Sequence, residues 1–280
     1  MCDVCVMNKV KDRMLSRRDL LRGSAALAAG AASAGAMGAA SLAPSPAMAA
    51  THAGAVMDMT HELHEGFPTF LDTRGLSYAK QFDFDTHGFN LYHLTVDEHV
   101  GTHIDAPLHF SADGASVAEI AVTDLVCPLA VIDIAARAAE DPDTQVTPDD
   151  LKAWIATHGP IPDGACVAMH SGWAPKVGDA ATFRNPDADG VMHFPGFHIE
   201  ATQMLLEETR AVAMAVDTLS TDFGASQDFA THYAWLPAGR YNIECLAGLD
   251  ALPAAGATLI VGAPKHRGGT GGPARIMAMV

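Results

Sequence analysis

The most informative segment of the chain reads His99-Val100-Gly101-Thr102-His103-Ile104-Asp105-Ala106-Pro107-Leu108-His109-Phe110. An α-helix would bring His99 and His103 together at i,i+4 but would turn Asp105 away from them. A straight strand would place all three on one face but spread them over roughly 20 Å. Neither regular element lets the three side chains meet at one ion. The segment is therefore expected to bend at Gly101, where no Cβ interferes.

Imidazole nitrogens and carboxylate oxygens together suit Zn²⁺, Mn²⁺ or Fe²⁺. Three histidines and one aspartate fall within eleven residues around a Gly-Thr bend. This grouping predicts a metal site rather than polar residues that are neighbours by chance. His109 lies past Pro107, four residues beyond Asp105, so it can face the site without binding the ion.

The pattern resembles the signature of the cyclase-like metal-dependent hydrolases, a family that includes bacterial kynurenine formamidases and isatin hydrolases. The resemblance extends from about Val56 to the C-terminus. Met57–His61 is similar to the family's opening strand, Asp217–Ser220 to its Asp-Thr-x-Ser segment, and Gly268–Arg275 to its closing loop and strand. It implies an α/β chain with a swivelling β/β/α fold in a single domain, residues 51–280, assembled as a homodimer or homotetramer.

The resemblance also implies one or two divalent ions per subunit, Zn²⁺ or Mn²⁺, and a role for individual residues. The first ion is held by His99, His103 and Asp105, and His109 is the catalytic acid/base. A second ion, where bound, takes a His and a Glu twelve residues apart, a spacing that His232 and Glu244 match. Asp105 then bridges the two ions.

The resemblance implies hydrolysis of a carbon–nitrogen bond, and the chemistry of such a site agrees with it. Two cations about 3.5–4 Å apart polarise a carbonyl and lower the pKa of a bound water towards about 7, so that a metal-bound hydroxide attacks an amide, formamide or cyclic amide. The leaving amine needs a proton, which the imidazole of His109 can deliver. Two other functions stay open: a metal-dependent lyase or cyclase on the same site, and a non-catalytic periplasmic metal-binding protein.

The prediction of the substrate rests on aromatic residues. The formamidases have Pro-x-Trp-Pro-Gly where this chain has Pro68–Asp72, so Phe70 can stack on a ring but the Trp and the Pro-Gly turn are missing. That difference disfavours N-formylkynurenine and favours a small apolar or aromatic amide, including a cyclic one. Other aromatic residues expected to suit such a substrate are Phe67, Phe84, Phe89 and Trp235.

Short apolar runs alternate with helical patterns, which predicts an α/β domain with a largely buried sheet. Thr147-Pro148 begins a helix that Gly159 ends, and Glu200–Arg210 has apolar residues at helical spacing. The glycines of Gly268–Gly272 lack the Gly-Lys-Ser/Thr ending of a phosphate loop and predict a close approach of backbone to neighbouring structure. The apolar runs are Leu129–Ala135, Cys166–Ser171, Ala211–Asp217, Thr258–Gly262 and Arg275–Val280.

The composition excludes several classes of protein. With 280 residues, of which 49% are hydrophobic and 18% charged, the chain can bury a core and is neither disordered nor fibrous. A nucleic acid or an anionic membrane would repel its formal charge of −16, so neither is an expected partner. Cys127, Cys166 and Cys245 lie in apolar stretches and predict buried thiols rather than a disulfide framework.

Residues 1–50 predict a cleaved export signal rather than a membrane anchor. Ser16–Arg22 resembles the twin-arginine signal, an uncharged Ala/Gly-rich run follows it, and Ala47–Ala49 resembles a cleavage site. The run is weakly hydrophobic and is interrupted by Pro44 and Pro46, which disfavours a membrane span. We therefore expect the twin-arginine machinery to export the folded protein to the periplasm.

Overall fold

A computed structural model describes residues 54–280 of the chain. The export signal predicted for residues 1–50 lies outside this part. The described residues belong to two units, one that contains Lys80–Tyr92 and one that contains residues 54–79 and 93–280. In the part of the chain that the structure describes, no helix is both long enough and apolar enough to span a membrane.

Nine of the described strands form one mixed sheet. The four central strands run parallel, and every other pairing in this sheet is antiparallel. The parallel strands are β5 (Val126–Asp133), β7 (Cys166–His170), β9 (Ala213–Val216) and β10 (Tyr241–Glu244). On one side of them lie β11 (Thr258–Gly262), β13 (Arg275–Met279) and β1 (Val56–Asp58), and on the other β4 (His103–Asp105) and β12 (Gly271–Pro273).

Two small sheets complete the strands. One pairs β2 (Leu76–Phe82) with β3 (Leu91–Val96), and the other pairs β6 (Gln145–Val146) with β8 (Gly196–Phe197). Strands β2 and β3 each contain residues of the larger unit and residues of the smaller unit. The predicted strands agree with the observed ones to within three residues at their ends, and the predicted α/β fold is confirmed.

Helices connect the parallel strands, as the alternating pattern predicted. Helix α1 (Phe84–His87) belongs to the smaller unit. The helices of the larger unit are α2 (Ala135–Glu140), α3 (Pro148–His158), α4 (Ala180–Arg184), α5 (Ile199–Glu208) and α6 (Ala230–Trp235). Helix α3 begins and ends where the sequence predicted. The Thr147 hydroxyl accepts a hydrogen bond from the Asp150 N–H, and the Asp150 carboxylate accepts one from the Thr147 N–H.

The main sheet has a hydrophobic cluster on each face. Ile104 of β4 and Ile243 of β10 are buried in one cluster, whereas Met214 of β9 belongs to the other, together with Leu151 of α3 and Leu205 of α5. Successive side chains of a strand point to opposite faces of the sheet. The residues that flank Ile104 and Ile243 therefore face away from the first cluster, and this places the candidate site.

The three cysteines among the described residues are buried thiols, as predicted. Cys127 of β5, Cys166 of β7 and Cys245 after β10 are free and almost inaccessible to solvent. Burial raises the pKa of the Cys127 thiol to about 11. A thiol with so high a pKa is a poor nucleophile at neutral pH, so Cys127 is a packing residue.

Candidate metal centre and cavity

The chain bends at Gly101, between His99 and strand β4. Gly101 has a φ of +69°, a left-handed conformation that favours glycine, and a Cβ there would lie 2.9 Å from the Leu63 side chain. The bend brings His99 Nδ1 to 2.6 Å from Asp105 Oδ1. A straight strand could not bring these two side chains together, so the bend is what unites His99, His103 and Asp105.

Strand pairing brings Glu244 to the same place. Strand β10 runs antiparallel to β4, with Glu244 opposite His103 and Asn242 opposite Asp105. His103 Nε2 lies 3.4 Å from Glu244 Oε2 and 3.3 Å from Asp105 Oδ1. The register of these two strands therefore joins a residue near the end of the chain to the histidine-rich segment.

Helix α6 adds His232. Its Nε2 lies 3.5 Å from Asp105 Oδ2 and 3.3 Å from Glu244 Oε1. Two groups of possible ligands result, His99 with His103 and Asp105, and Asp105 with His232 and Glu244. In each group the ligand atoms lie within 4.8 Å of one another. Asp105 belongs to both groups and directs one oxygen towards each, which is the geometry of a bridging carboxylate.

Buried polar atoms without hydrogen-bond partners show that these residues fit a divalent cation. His103 Nε2 and Asp105 Oδ2 have no hydrogen bond, although the two side chains are only 4% and 1% exposed. Leaving such an atom unpaired costs roughly 1–3 kcal/mol of folding free energy, unless a proton or a cation lies between it and its neighbours. Both atoms point at the other candidate ligands. A cation bound among them would satisfy both atoms, and histidine nitrogens with carboxylate oxygens suit Zn²⁺ or Mn²⁺.

The two buried histidines are held so that Nε2 faces the site. His103 Nδ1 lies 2.9 Å from the Gly101 carbonyl oxygen, and His232 Nδ1 lies 2.6 Å from Asp222 Oδ2. Because a carbonyl and a carboxylate can only accept, each Nδ1 carries a proton and donates it to the hydrogen bond. In the neutral ring Nε2 is then left with its lone pair free, which is the state that a metal ligand needs.

Asp222 is a residue of the site that the sequence analysis missed. Besides holding the His232 ring, its carboxylate accepts hydrogen bonds from the N–H groups of Thr231 and His232, at 2.9 and 3.1 Å. It therefore fixes both the backbone and the side chain at the start of α6. Asp222 lies two residues after the Asp217–Ser220 segment, and that proximity is the one signal in the sequence that could have found it.

The carboxylates and histidines of the site stabilise each other's charges. Burial alone would lower the pKa of His103, but the neighbouring carboxylates of Asp105 and Glu244 outweigh it and raise that pKa to about 10. The pKa of His232 is raised in the same way, chiefly by Asp105 and Asp222. The three nearby histidines hold the pKa of Asp105 well below its usual range despite burial. Without a cation, protons thus occupy the positions that a metal would take.

His109 touches the site but belongs to neither group of ligands. It ends a short 3₁₀ helix, Pro107–His109, and its ring stacks on that of His99 with the centroids 3.8 Å apart. Burial lowers the pKa of His109 to about 4, and the neighbouring His99 acts in the same direction, while Asp105 opposes the shift. At neutral pH the ring is therefore uncharged and can accept a proton.

Four of the five candidate ligands lie on the wall of a cavity of about 610 Å³, and Asp105 lies behind them. His99, His103, His109, His232 and Glu244 all line it. Most of the remaining wall is apolar, and none of the described residues that line the cavity is Lys or Arg. The apolar part of the lining includes Phe70, Leu71, Val96, Phe110, Leu219 and Phe229.

The aromatic residues of the cavity are only partly those that the sequence predicted. Phe70 lines it and contacts Phe229, with ring centroids 5.7 Å apart. The expectation that Phe67 and Trp235 would suit a substrate is wrong, because both are buried in the hydrophobic clusters and neither lines the cavity. Two aromatic residues that the sequence analysis did not select take part instead, namely Phe110 and Phe229. The other two predicted aromatic residues, Phe84 and Phe89, lie in the smaller unit.

Comparison with families of known proteins identifies the chain's relatives. The model of the Cyclase family, described as putative cyclases, matches residues 57–223. The isatin hydrolase of Roseibium aggregatum is 36% identical over 209 residues, which cover 71% of this chain and 78% of that protein. The kynurenine formamidase of Salinibacter ruber is 28% identical over 193 residues, covering 68% of this chain and 80% of that one.

A solved structure shares the fold as well as the sequence. The crystal structure of an isatin hydrolase bound to the product analogue thioisatinate superposes with a TM-score of 0.76 at 30% identity. The match covers 95% of this chain and 99% of the other. Similarity therefore extends across the whole described fold and is not confined to the histidine-rich segment.

Proposed function

The chain belongs to the cyclase family, and from that premise we propose that it is a metal-dependent amidohydrolase that cleaves a carbon–nitrogen bond of a small aromatic amide. One observation carries the proposal. Two groups of ligands that share Asp105 lie on the wall of an apolar cavity, and the uncharged imidazole of His109 lies beside them. The relatives named isatin hydrolase and kynurenine formamidase are amidohydrolases, which supports the same class of reaction.

The residues that would hold the metal are those of the two groups. His99, His103 and Asp105 would bind one ion, and Asp105, His232 and Glu244 a second, with Zn²⁺ or Mn²⁺ as the cation. A bound divalent ion would supply Lewis acidity that polarises the amide carbonyl and makes a water more acidic. The subunit would bind two ions if both groups of ligands are occupied, and one ion if only the first group is.

His109 is the residue of this chain that moves the proton in the proposed reaction. With its pKa lowered to about 4, the ring is neutral at pH 7 and can take a proton from the attacking water. The amide nitrogen is a poor leaving group until it is protonated. His109, now charged and next to His99, can return the proton to that nitrogen, and both proton transfers are completed within the cavity.

The lining of the cavity supports a small and uncharged aromatic substrate. Phe70 and Phe229 offer ring faces and edges, and Leu219 adds further apolar surface. With no Lys or Arg among the described lining residues, a substrate carboxylate would find no lysine or arginine side chain to pair with. These features favour an aryl amide or a cyclic amide over an amino acid that carries a formamide, in line with the similarity to isatin hydrolases.

A panel of amides tests the proposed activity. Purified protein is stripped with a chelator, reloaded with Zn²⁺ or Mn²⁺, and offered aryl formamides, anilides and cyclic amides such as isatin. Hydrolysis adds the mass of one water to the substrate, whereas a lyase or cyclase would add none. Turnover with added water supports the proposal. A product of unchanged mass would assign the site to a lyase or cyclase, and metal binding without any turnover would leave a binding protein.

We also propose a cellular location and an assembly. Residues 1–50 act as a twin-arginine signal that is removed after export to the periplasm, and residues 51–280 are the mature domain. The exported chain forms a homodimer or homotetramer. Leu94 and Val96 of β3 support this assembly, because these apolar side chains are 56% and 44% exposed in the single chain. Size-exclusion chromatography with light scattering would measure the mass of the assembly.

A further inference from the structure

The glycine-rich segment Gly268–Gly272, to which the proposed function gives no role, lies against the first group of ligands. A Cβ on Gly271 would lie 2.8 Å from Cε1 of His99 and 2.3 Å from the carbonyl oxygen of Ile104. A Cβ on Gly269 would lie 2.7 Å from Oε1 of Glu98. Only glycine lets the backbone pass so near, so the predicted close approach of this segment is confirmed.

Between these glycines the segment carries Thr270, whose hydroxyl lies between Glu98 and His99. The hydroxyl donates to Glu98 Oε2 at 2.5 Å, and its oxygen lies 3.0 Å from His99 Nε2. A carboxylate can only accept, so it takes the hydroxyl proton. The oxygen of Thr270 is then left to accept a hydrogen bond from His99. Nε2 of His99 therefore carries a proton, and this is the tautomer that the ring adopts once Nδ1 has given up its own proton.

This tautomer is the one that the candidate metal site requires. Nδ1 is the atom that faces Asp105, at 2.6 Å, and without an ion the two atoms share a proton, because a carboxylate can only accept. A cation would replace that proton and bind Nδ1, while Nε2 keeps its own proton. The other two ligand histidines are held in the opposite sense, through Nδ1, by the Gly101 carbonyl and by Asp222. His99 is thus the ligand whose outward nitrogen meets a hydroxyl rather than a group that can only accept.

A hydroxyl alone cannot fix the tautomer of an imidazole, because it can both donate and accept. If Thr270 had no carboxylate behind it, its hydroxyl could turn and donate to His99 Nε2. The ring proton would then sit on Nδ1, where Asp105 would accept it. In that state His99 could not bind an ion through Nδ1. The direction of the Thr270 hydroxyl is therefore set by Glu98.

We propose that Glu98 and Thr270 are positioning residues for the first metal ion, which they control by selecting the tautomer of His99. The inference rests on the proposed function, in that it takes His99, His103 and Asp105 to be metal ligands. Glu98 is itself held by the Thr270 N–H, at 3.1 and 3.2 Å from its two oxygens, and by His266 Nε2 at 2.7 Å. The glycine-rich segment Gly268–Gly272 thereby supplies, through Thr270, a residue that supports a candidate ligand without binding the ion itself.

Zinc binding to variants tests this inference. All variants are made in a His232→Ala background. This substitution removes a ligand of the second group, so the measured Zn²⁺ affinity is that of the first group. Removal of the groups around a metal-binding histidine typically weakens metal affinity by about 10–100-fold. We expect a loss of that size for Thr270→Val and for Glu98→Ala. Thr270→Ser, which keeps the hydroxyl, should rescue binding to within about twofold of the background.

His266→Ala is the matched control. It removes an outer partner of Glu98 but leaves the Thr270 hydroxyl bond, so Zn²⁺ affinity should stay near that of the background. Nitrogen–proton correlation spectra of ¹⁵N-histidine-labelled protein at saturating Zn²⁺ provide a readout that a loss of packing would not give. With Glu98 and Thr270 unaltered, His99 should show a hydrogen-bonded proton on Nε2, and in Glu98→Ala that proton should exchange faster with water.

The outcomes separate this inference from the proposed function. If folded Thr270→Val and Glu98→Ala proteins bind Zn²⁺ as tightly as the background does, the positioning role is wrong. If the unmutated protein binds no Zn²⁺ or Mn²⁺, the proposed function is wrong instead. Because the Glu98 side chain is about one-third exposed, we expect Glu98→Ala to fold. It therefore decides the test if Thr270→Val does not fold.

Discussion

The imidazole ring of His109 lies almost parallel to that of His99, with the ring planes inclined by 22° and the centroids 3.8 Å apart. His99 uses its Nδ1 towards Asp105, and its ring face is covered by His109. The stack thus brings a nitrogen-bearing ring next to the candidate ligands without adding a ligand. His99 is therefore expected to bind the metal, whereas His109 is expected to transfer protons.

His109→Ala is expected to leave metal content unchanged and to lower kcat by roughly 10²–10⁴-fold, the usual contribution of a general acid–base group. KM should change much less, because the lost interaction belongs mainly to the transition state. Metal analysis and steady-state kinetics of the same preparation check both statements. His99→Ala is the matched control and should lose metal together with activity. If metal is lost from His109→Ala as well, His109 is a ligand.

Asp105→Ala should weaken the binding of both ions, since Asp105 belongs to both groups of ligands. His232→Ala should affect only the second ion. Ligand bonds that form only in the folded state stabilise it, so metal-loaded protein should melt at a higher temperature than chelated protein. Metal stoichiometry and thermal unfolding measure these effects. Full metal content and activity in Asp105→Ala would refute the assignment of the bridge.

The stability of the metal-free protein should fall as the pH rises from about 7 to about 10. The pKa of His103 is about 10 in the folded chain and near 6.5 in the unfolded one, so the folded state binds the extra proton between these values. The resulting stabilisation is complete below about pH 6.5 and is lost as the pH passes the folded pKa. Thermal unfolding of chelated protein from pH 6 to pH 10 measures it.

The same measurement on metal-loaded protein provides a contrast. A bound cation replaces the proton of His103, so the melting temperature should depend less on pH over this range. His103→Ala, without the titrating group, should also flatten the curve of the chelated protein. A melting temperature of the chelated wild-type protein that does not change between pH 6 and pH 10 would contradict the prediction.

Phe70→Ala should raise KM for an aryl amide by roughly tenfold, equivalent to about 1.4 kcal/mol of binding free energy, with a much smaller change in kcat. Phe70 lines the cavity, its ring packs against Phe229, and it is not one of the candidate ligands, so the chemical step should be preserved. Phe70→Tyr keeps the ring and serves as the control. Unchanged KM for every aryl substrate would remove Phe70 from the binding site.

Export should depend on the paired arginines of the N-terminal segment. In cells that produce the double variant Arg17→Lys with Arg18→Lys, the full-length precursor should remain in the cytoplasm, because twin-arginine machinery reads this pair. Cell fractionation followed by mass determination of the protein checks the prediction. Mature protein in the periplasm of these cells would show that another route is used.

Local patterns were enough to anticipate several elements. The bend at Gly101 follows from residues close in sequence, because neither a helix nor a strand can unite His99, His103 and Asp105. Helix α3 was predicted at its observed ends, since Thr147 and Asp150 cap it through contacts within one turn. Such features depend on backbone geometry and short-range hydrogen bonds, which neighbouring residues specify on their own.

Contacts between distant segments could not be derived in this way. The spacing of His232 and Glu244 indicated ligands only through the resemblance to a family. In space they meet Asp105 because β10 pairs with β4 and because α6 brings His232 Nε2 to 3.5 Å from Asp105 Oδ2. Likewise, nothing local distinguishes Trp235, which is buried in the core, from Phe229, which lines the cavity.

The sequence by itself thus determined the α/β class, the bend and the chemistry of the histidine-rich segment, because these depend on residue type and short separations. The tertiary structure alone decided which carboxylates support His232 and His99, the first directly and the second through Thr270. Asp222 reaches His232 across ten residues, and Glu98 reaches Thr270 across 172. A hydrogen bond between such residues exists only once the register of the sheet has brought their segments together, and that register is set by burial of the whole core.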